Sequence, residues 1–205
     1  MASNMAARRA AKANRRKAIV AEKRKSEMFA DTLAERIRRA ASTPIRHCLL
    51  TDRLFEHGIG TLILTRGATR EYLSMGMFLV DVFCLGIKDA AFRTIAGSDF
   101  DEYIAAANLP VPAVPVDPGI ARKLLREVAI WSESIGFAPH RDFAVIEQLF
   151  GDASAAACDA AFQFGRDGKP FYMASPSETP AQVRHRIEQL RARLGNGGFH
   201  FIAAA

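Results

Sequence analysis

One carboxylate stands out among the groups that could do chemistry. Asp81 lies within the run Leu73–Leu85 (LSMGMFLVDVFCL), with apolar residues on either side. An ionised carboxylate taken out of water is expensive unless it meets a cation, hydrogen-bond donors or a metal ion. A carboxylate on a central strand can hold Mg²⁺, and with companion carboxylates it can hold the two metals that flank a scissile phosphate. Asp89, Asp99, Asp101 and Glu102 follow close enough in sequence to be those companions. Their spacing does not fix them in space, and no acidic pair stands on a second strand. The plainer expectation is structural: Asp81 pairs with Lys88 or Arg93, or anchors backbone amides. Asp81 is the candidate catalytic residue only in the reading of the chain as a metal-dependent nuclease or phosphoryl-transfer enzyme.

The other reactive groups form no motif. His47, His57, His140, His185 and His200 show no HxxxH or HExxH spacing, so no metal site and no cofactor is expected. Cys48, Cys84 and Cys158 show no CxxC spacing. An odd number of scattered thiols among apolar neighbours reads as core packing in a reducing, cytoplasmic setting. The stretch Gly165-Arg166-Asp167-Gly168-Lys169-Pro170 lacks the spacing of a phosphate-binding loop and reads as a turn. Phe171 and Tyr172, which follow it, could stack on a base but are expected in the core.

Charge supplies the clearest pattern. The 205 residues carry 28 Lys and Arg against 22 Asp and Glu, net +6. Residues 1–46 hold 13 basic and 4 acidic side chains, whereas residues 47–205 hold 15 and 18. A basic arm on a mildly acidic body is an electrostatic handle for a polyanion. Arg8, Arg9, Lys12, Arg15, Arg16, Lys17, Lys23, Arg24 and Lys25 are the candidate phosphate contacts. Residues 5–29 have high helix propensity but charges on every side, which suits a segment that folds against its ligand. That arrangement leaves no large apolar face for a membrane surface, and no apolar run reaches membrane-spanning length. A secretory signal is not expected either, since the arm lacks an apolar h-region.

The elements that position these groups follow from periodicity. We expect two parts: a basic arm over residues 1–29 and a single α+β domain over 30–205. Leu33, Ile37 and Ala40 mark a short amphipathic helix ended by Pro44. Cys48–Leu50, Gly60–Arg66 and Leu73–Leu85 read as strands, the last two as an antiparallel pair. Ile87–Ala96 and Phe100–Ala107 read as helices, and residues 109–118, with four prolines, as an extended connector inside the domain. Helices follow at Gly119–Ile135, capped by Asp117 and Pro118, at residues 140–150, and at Thr179–Leu194. Phe162–Phe164 and Pro170–Met173 flank the Gly165–Gly168 turn as a hairpin, and Phe199–Ile202 reads as a closing strand. The fold expected is a small, mainly antiparallel sheet packed by helices.

These features together read as a nucleic-acid-associated binding protein. RNA is preferred to DNA, because no groove-reading motif is present and arginine-rich segments that fold on binding suit RNA. A third reading makes the chain a protein-interaction subunit of a larger assembly, with the arm on an acidic partner.

Overall fold

The computed structural model describes residues 32–106, 111–156 and 158–202. The basic arm, with all nine of its candidate contacts, lies outside them. Contacts divide the chain between Arg36 and Ile37, and the body that begins at Ile37 is an α+β fold.

Helix α1 (Leu33–Ala41) opens on a reciprocal cap: the Glu35 amide donates to the Thr32 hydroxyl at 3.3 Å and the Thr32 amide donates to the Glu35 carboxylate at 2.8 Å. It buries Ile37 and Ala40. Strands β1 (Ile45–Thr51), β2 (Ile59–Arg66), β3 (Tyr72–Asp81) and β4 (Gly86–Ala96) then run as a meander, with the one-turn helix α2 (Leu54–His57) between β1 and β2. Strand β5 (Ala113–Pro115) adds to the outer side of β1. The sheet order is β4-β3-β2-β1-β5, antiparallel throughout.

The register sorts the two faces of the sheet, since cross-strand partners share a face. Ile63 pairs with Met77 and Thr65 with Met75. This face is covered by α3 (Phe100–Ala106), whose Phe100 packs with Ile63, Leu73 and Met75. Leu62 pairs with Phe78 and Leu64 with Gly76 on the other face. There α4 (Pro118–Ser134), α5 (Phe143–Ile146) and the 3₁₀ turn Glu147–Phe150 close the core, with Phe143 and Phe150 against Phe78. A second core gathers Cys84, Leu85, Ile135, Phe137, Tyr172, Leu190 and Phe199. It carries β6 (Phe171–Met173), α6 (Pro180–Leu194) and β7 (His200–Ile202), with β6 and β7 paired in parallel.

Three expectations need correction. Ile87–Ala96 is not a helix but most of the edge strand β4. Its Ala, Lys and Arg content favours helix, and ten residues of pairing with β3 override that preference. Strand β3 ends at Asp81 rather than Leu85, and Val82–Leu85 form the link to β4. The Gly165–Gly168 turn does close on itself, through an Arg166–Lys169 bridge. Its flanks do not pair, however: β6 instead takes β7 as its partner. Of the described part of the proline-rich connector, Ala113–Pro115 is extended and serves as an edge strand, where a missing N–H does least harm. The 140–150 helix is a single α turn followed by a 3₁₀ turn.

Two arginines tie the layers together through carbonyl oxygens. Arg66, 3% exposed, ends β2. Its guanidinium donates to the carbonyls of Leu149 at 2.7 Å, Phe150 at 2.5 Å and Thr43, and to the Asp152 carboxylate at 3.2 Å. Arg122 of α4 reaches the same segment, donating to the carbonyls of Gly151 at 2.9 Å and Ala153 at 2.8 Å and to Glu147 at 2.5 Å. Replacing Arg66 by Met removes a charged donor from three carbonyls at once, and among the described residues only that of Phe150 keeps a second donor, the Ala153 amide. Arg66→Met is expected to cost about 3 kcal/mol or more, read in urea titration as a lower midpoint at unchanged slope.

Candidate functional site

Asp81 sits at the end of β3, 3% exposed, and turns its carboxylate back on the chain that follows. Its Oδ1 accepts from the amides of Phe83 at 3.0 Å and Cys84 at 2.8 Å. The four-residue link it caps returns the chain through Gly86, at φ 67°, where a Cβ would meet the Ser132 hydroxyl of α4 at 2.1 Å. A side chain there is excluded both by the backbone and by the neighbour. Burial pushes the Asp81 carboxyl above its ordinary range. The amide hydrogen bonds and the charge of Lys88 pull the other way. The donors that a buried carboxylate demands are therefore backbone amides.

The acidic companions do not converge on it. Asp89 faces Leu79 across the β3–β4 pair. Asp99, Asp101 and Glu102 follow the end of β4 that pairs with Tyr72. Asp81 is at the other end of β3, roughly 30 Å along the strand. Among the described residues no group of three or more His, Cys, Asp or Glu is placed to hold a metal ion.

The chemistry the structure does assemble lies at that distant end. A hollow of about 330 Å³ is lined by Ile45, Arg46, His47, Arg70, Leu73, Gly97, Phe100 and Asp101. Five places in the chain contribute: the start of β1, the β2–β3 connection, Leu73 of β3, Gly97 just past β4, and α3. Strand alternation would place Arg46 and His47 on opposite faces. A bulge overrides it, for the register slips between Ile45 and His47, so that Arg46 and His47 together oppose Thr65. Arg46 bridges to the β2–β3 connection, its Nε donating to the Gly67 carbonyl and its Nη2 to the Ala68 carbonyl, both at 2.8 Å. The His47 ring lies on Phe100 with centroids 4.2 Å apart and planes 20° from parallel. Burial lowers the His47 pKa, Asp101 opposes that shift and Arg70 adds to it. Two guanidiniums, an imidazole and one carboxylate thus share a small polar recess. The sequence does not mark these residues as a group, since the bulge that unites Arg46 with His47 has no sequence signature.

The remaining motifs are structural. Phe171 and Tyr172 are buried, as expected of core residues, at 7% and 0% exposure. Cys48 and Cys84 are buried too, while Cys158 is half-exposed. Burial raises the Cys48 thiol to about 12, away from reactivity. An aromatic group that the sequence does not flag joins Phe55, Phe162, Phe164 and Trp131. Phe55 stacks on Phe162 at 5.8 Å, and Trp131 lies against Phe164 at 5.5 Å. No helix among the described residues is long and apolar enough to cross a membrane.

Comparison of the chain with models of known protein families, with curated protein sequences and with solved structures finds no match.

Two substitutions test these assignments. Asp81→Asn keeps an oxygen for the two amides and removes a buried charge, whereas Asp81→Ala leaves both amides unpaired. Thermal unfolding should place the Asn variant close to the parent and the Ala variant about 1–2 kcal/mol below it. The raised carboxyl means that the folded state holds its proton more tightly than the unfolded one. Stability linked to Asp81 therefore falls as pH rises through the folded-state value, and the Asn variant should lack that dependence. His47 carries the opposite sign. Its pKa is lowered from 6.5 in the folded state, so the unfolded chain takes up the proton first as pH falls below that value. Chemical denaturation across the mildly acidic range should show stability lost on acidification, with a smaller loss in His47→Gln.

Proposed function

We propose that the protein is a nucleic-acid-associated binding protein, acting on RNA, whose basic N-terminal arm makes the phosphate contacts. The observation that carries this reading is the partition of charge: 13 basic against 4 acidic residues over 1–46, and 15 against 18 over the rest. The body supports it by the use it makes of its own cations. Arg66 and Arg122 are committed to carbonyls and carboxylates inside the fold. Arg126 is held by Glu147 and Arg186 by Glu178. Cations consumed in this way add little long-range attraction for a polyanion. The arm concentrates nine within residues 8–25.

The assembly-subunit reading draws on one specific feature. Strand β7 is exposed along its length, with Phe201 and Ile202 at 45% and 59%, and it forms the outer side of a two-stranded sheet. Open edges of this kind can take a partner strand. The feature is three residues long, and it does not account for the charge at the other end of the chain.

The test keeps the chain whole. Arg8, Arg9, Lys12, Arg15, Arg16, Lys17, Lys23, Arg24 and Lys25 are changed together to Gln, and binding to a structured RNA is measured across a salt series. The parent should show log affinity falling linearly with log salt, and the variant a weaker affinity and a flatter line. The slope should change by roughly 0.7–0.9 for each phosphate that the arm no longer neutralises. An unchanged slope and affinity would remove the arm from RNA binding.

A further inference from the structure

The hollow at the start of β1 has the composition of an anion site, and its construction is more deliberate than a surface cluster requires. Arg70 is set at its edge by a close backbone approach. A Cβ on Gly97 would meet the Arg70 carbonyl oxygen at 1.7 Å, so only glycine lets the two segments lie together. The Gly97 amide fixes the same connection by donating to the Glu71 carbonyl at 2.8 Å. Arg46 is fixed from its other side by the Gly67 and Ala68 carbonyls. Those two hydrogen bonds use two of the five guanidinium N–H groups and leave three. Arg70 has no hydrogen-bond or ion-pair partner among the described residues. Thr65, which the bulge faces, is fully buried, and its hydroxyl has no hydrogen-bond partner among the described residues.

The charge around the recess comes from three places. Arg46 and His47 come from β1, Arg70 from the β2–β3 connection, and Asp101 from α3. With the imidazole neutral the sum is one positive charge, in a body that is otherwise net acidic. Carboxylates and phosphates both satisfy guanidiniums, but the separated approach of two arginines suits a tetrahedral group that offers acceptors in several directions.

We propose that this hollow binds a phosphate group between Arg46 and Arg70, and that the phosphate belongs to the backbone of an RNA strand. The choice of RNA as the source rests on the function proposed above. The phosphate chemistry itself does not. His47 lies flat on Phe100 and closes one side of the recess. Asp101, beside it, disfavours a second anion, so one phosphate is held and not a run of them. Arg46 contributes through the N–H groups that the two carbonyls leave over. Arg70 reaches the ligand from the same β2–β3 connection whose carbonyls hold Arg46.

The experiment uses the full chain and inorganic phosphate as the first probe, followed by the imidazole resonances of His47. Phosphate should shift them in a saturable way. Arg70→Gln, at an exposed position with no internal partner to lose, should weaken that binding about tenfold, as removal of a charge-assisted hydrogen bond implies. A short single-stranded RNA is then added to the phosphate-loaded protein. Displacement of phosphate, and a weaker RNA affinity in Arg70→Gln, assigns the site to the RNA backbone. Phosphate binding that RNA does not displace overturns the RNA source and leaves a site for small phosphates. Absence of any saturable shift, or an Arg70→Gln variant that binds phosphate as the parent does, overturns the site itself. The variant neutralised at its nine arm positions separates this from the function proposed above. If it retains phosphate binding while RNA affinity never depended on the arm, that reading fails and the hollow stands.

Discussion

A carboxylate bound to two backbone amides governs how the halves of this body are joined. Strand β3 delivers the chain to Asp81, and the link that follows leads into a different core. Phe83 meets Phe171 edge to face, while Cys84 and Leu85 pack with Ile135, Phe137, Tyr172, Leu190 and Phe199. The same link also accepts from that side: the amides of Gly165 and Phe171 donate to the carbonyls of Val82 and Phe83 at 2.9 and 2.8 Å. A four-residue segment that serves two cores needs a fixed backbone, and Asp81 fixes it at the start while Gly86 fixes it at the end. An apolar residue at position 81 would remove the charge and lose the turn with it.

Arginine does comparable work on the other side of the sheet. The segment from Glu147 to Ala153 turns away from helix after one turn and presents its carbonyls inward. Arg66 from the sheet and Arg122 from α4 meet those carbonyls from two directions. Burial works against the charge of Glu147, but Arg122 and Arg126 outweigh it and hold the carboxyl below its ordinary range. The outcome is a body whose cations are largely spent on its own oxygen atoms.

Much of this is open to inference from the sequence, and the failures have physical causes. The caps can be read directly: Asp117-Pro118 starts α4, and Thr179-Pro180 starts α6. The structure adds that Thr179 and Gln182 complete a reciprocal cap there. Asp81 is conspicuous because a charge within an apolar run needs partners. Its place at a strand end is hidden because Val82–Leu85 are buried on all sides, and a buried turn has the same composition as a buried strand. Strand β4 is masked by helix-favouring residues whose pairing with β3 is decided only in three dimensions. The hollow is invisible for two reasons. Its residues come from five places in the chain, and the bulge at Arg46 breaks the two-residue period on which strand reading depends.

That bulge also separates what the two cationic regions can contribute. A segment dense in basic residues gives affinity that salt screens. It recognises charge with little demand on geometry. Arg46 is already held by two carbonyls, and His47 by a ring 4.2 Å away. Side chains fixed beforehand lose little freedom when a ligand arrives, so even one contact there constrains where the ligand sits. In the proposed arrangement the arm supplies the attraction and the hollow supplies the register. Salt would weaken the first far more than the second, because a pair of charges in a partly enclosed recess is screened less than a row of charges on an open segment.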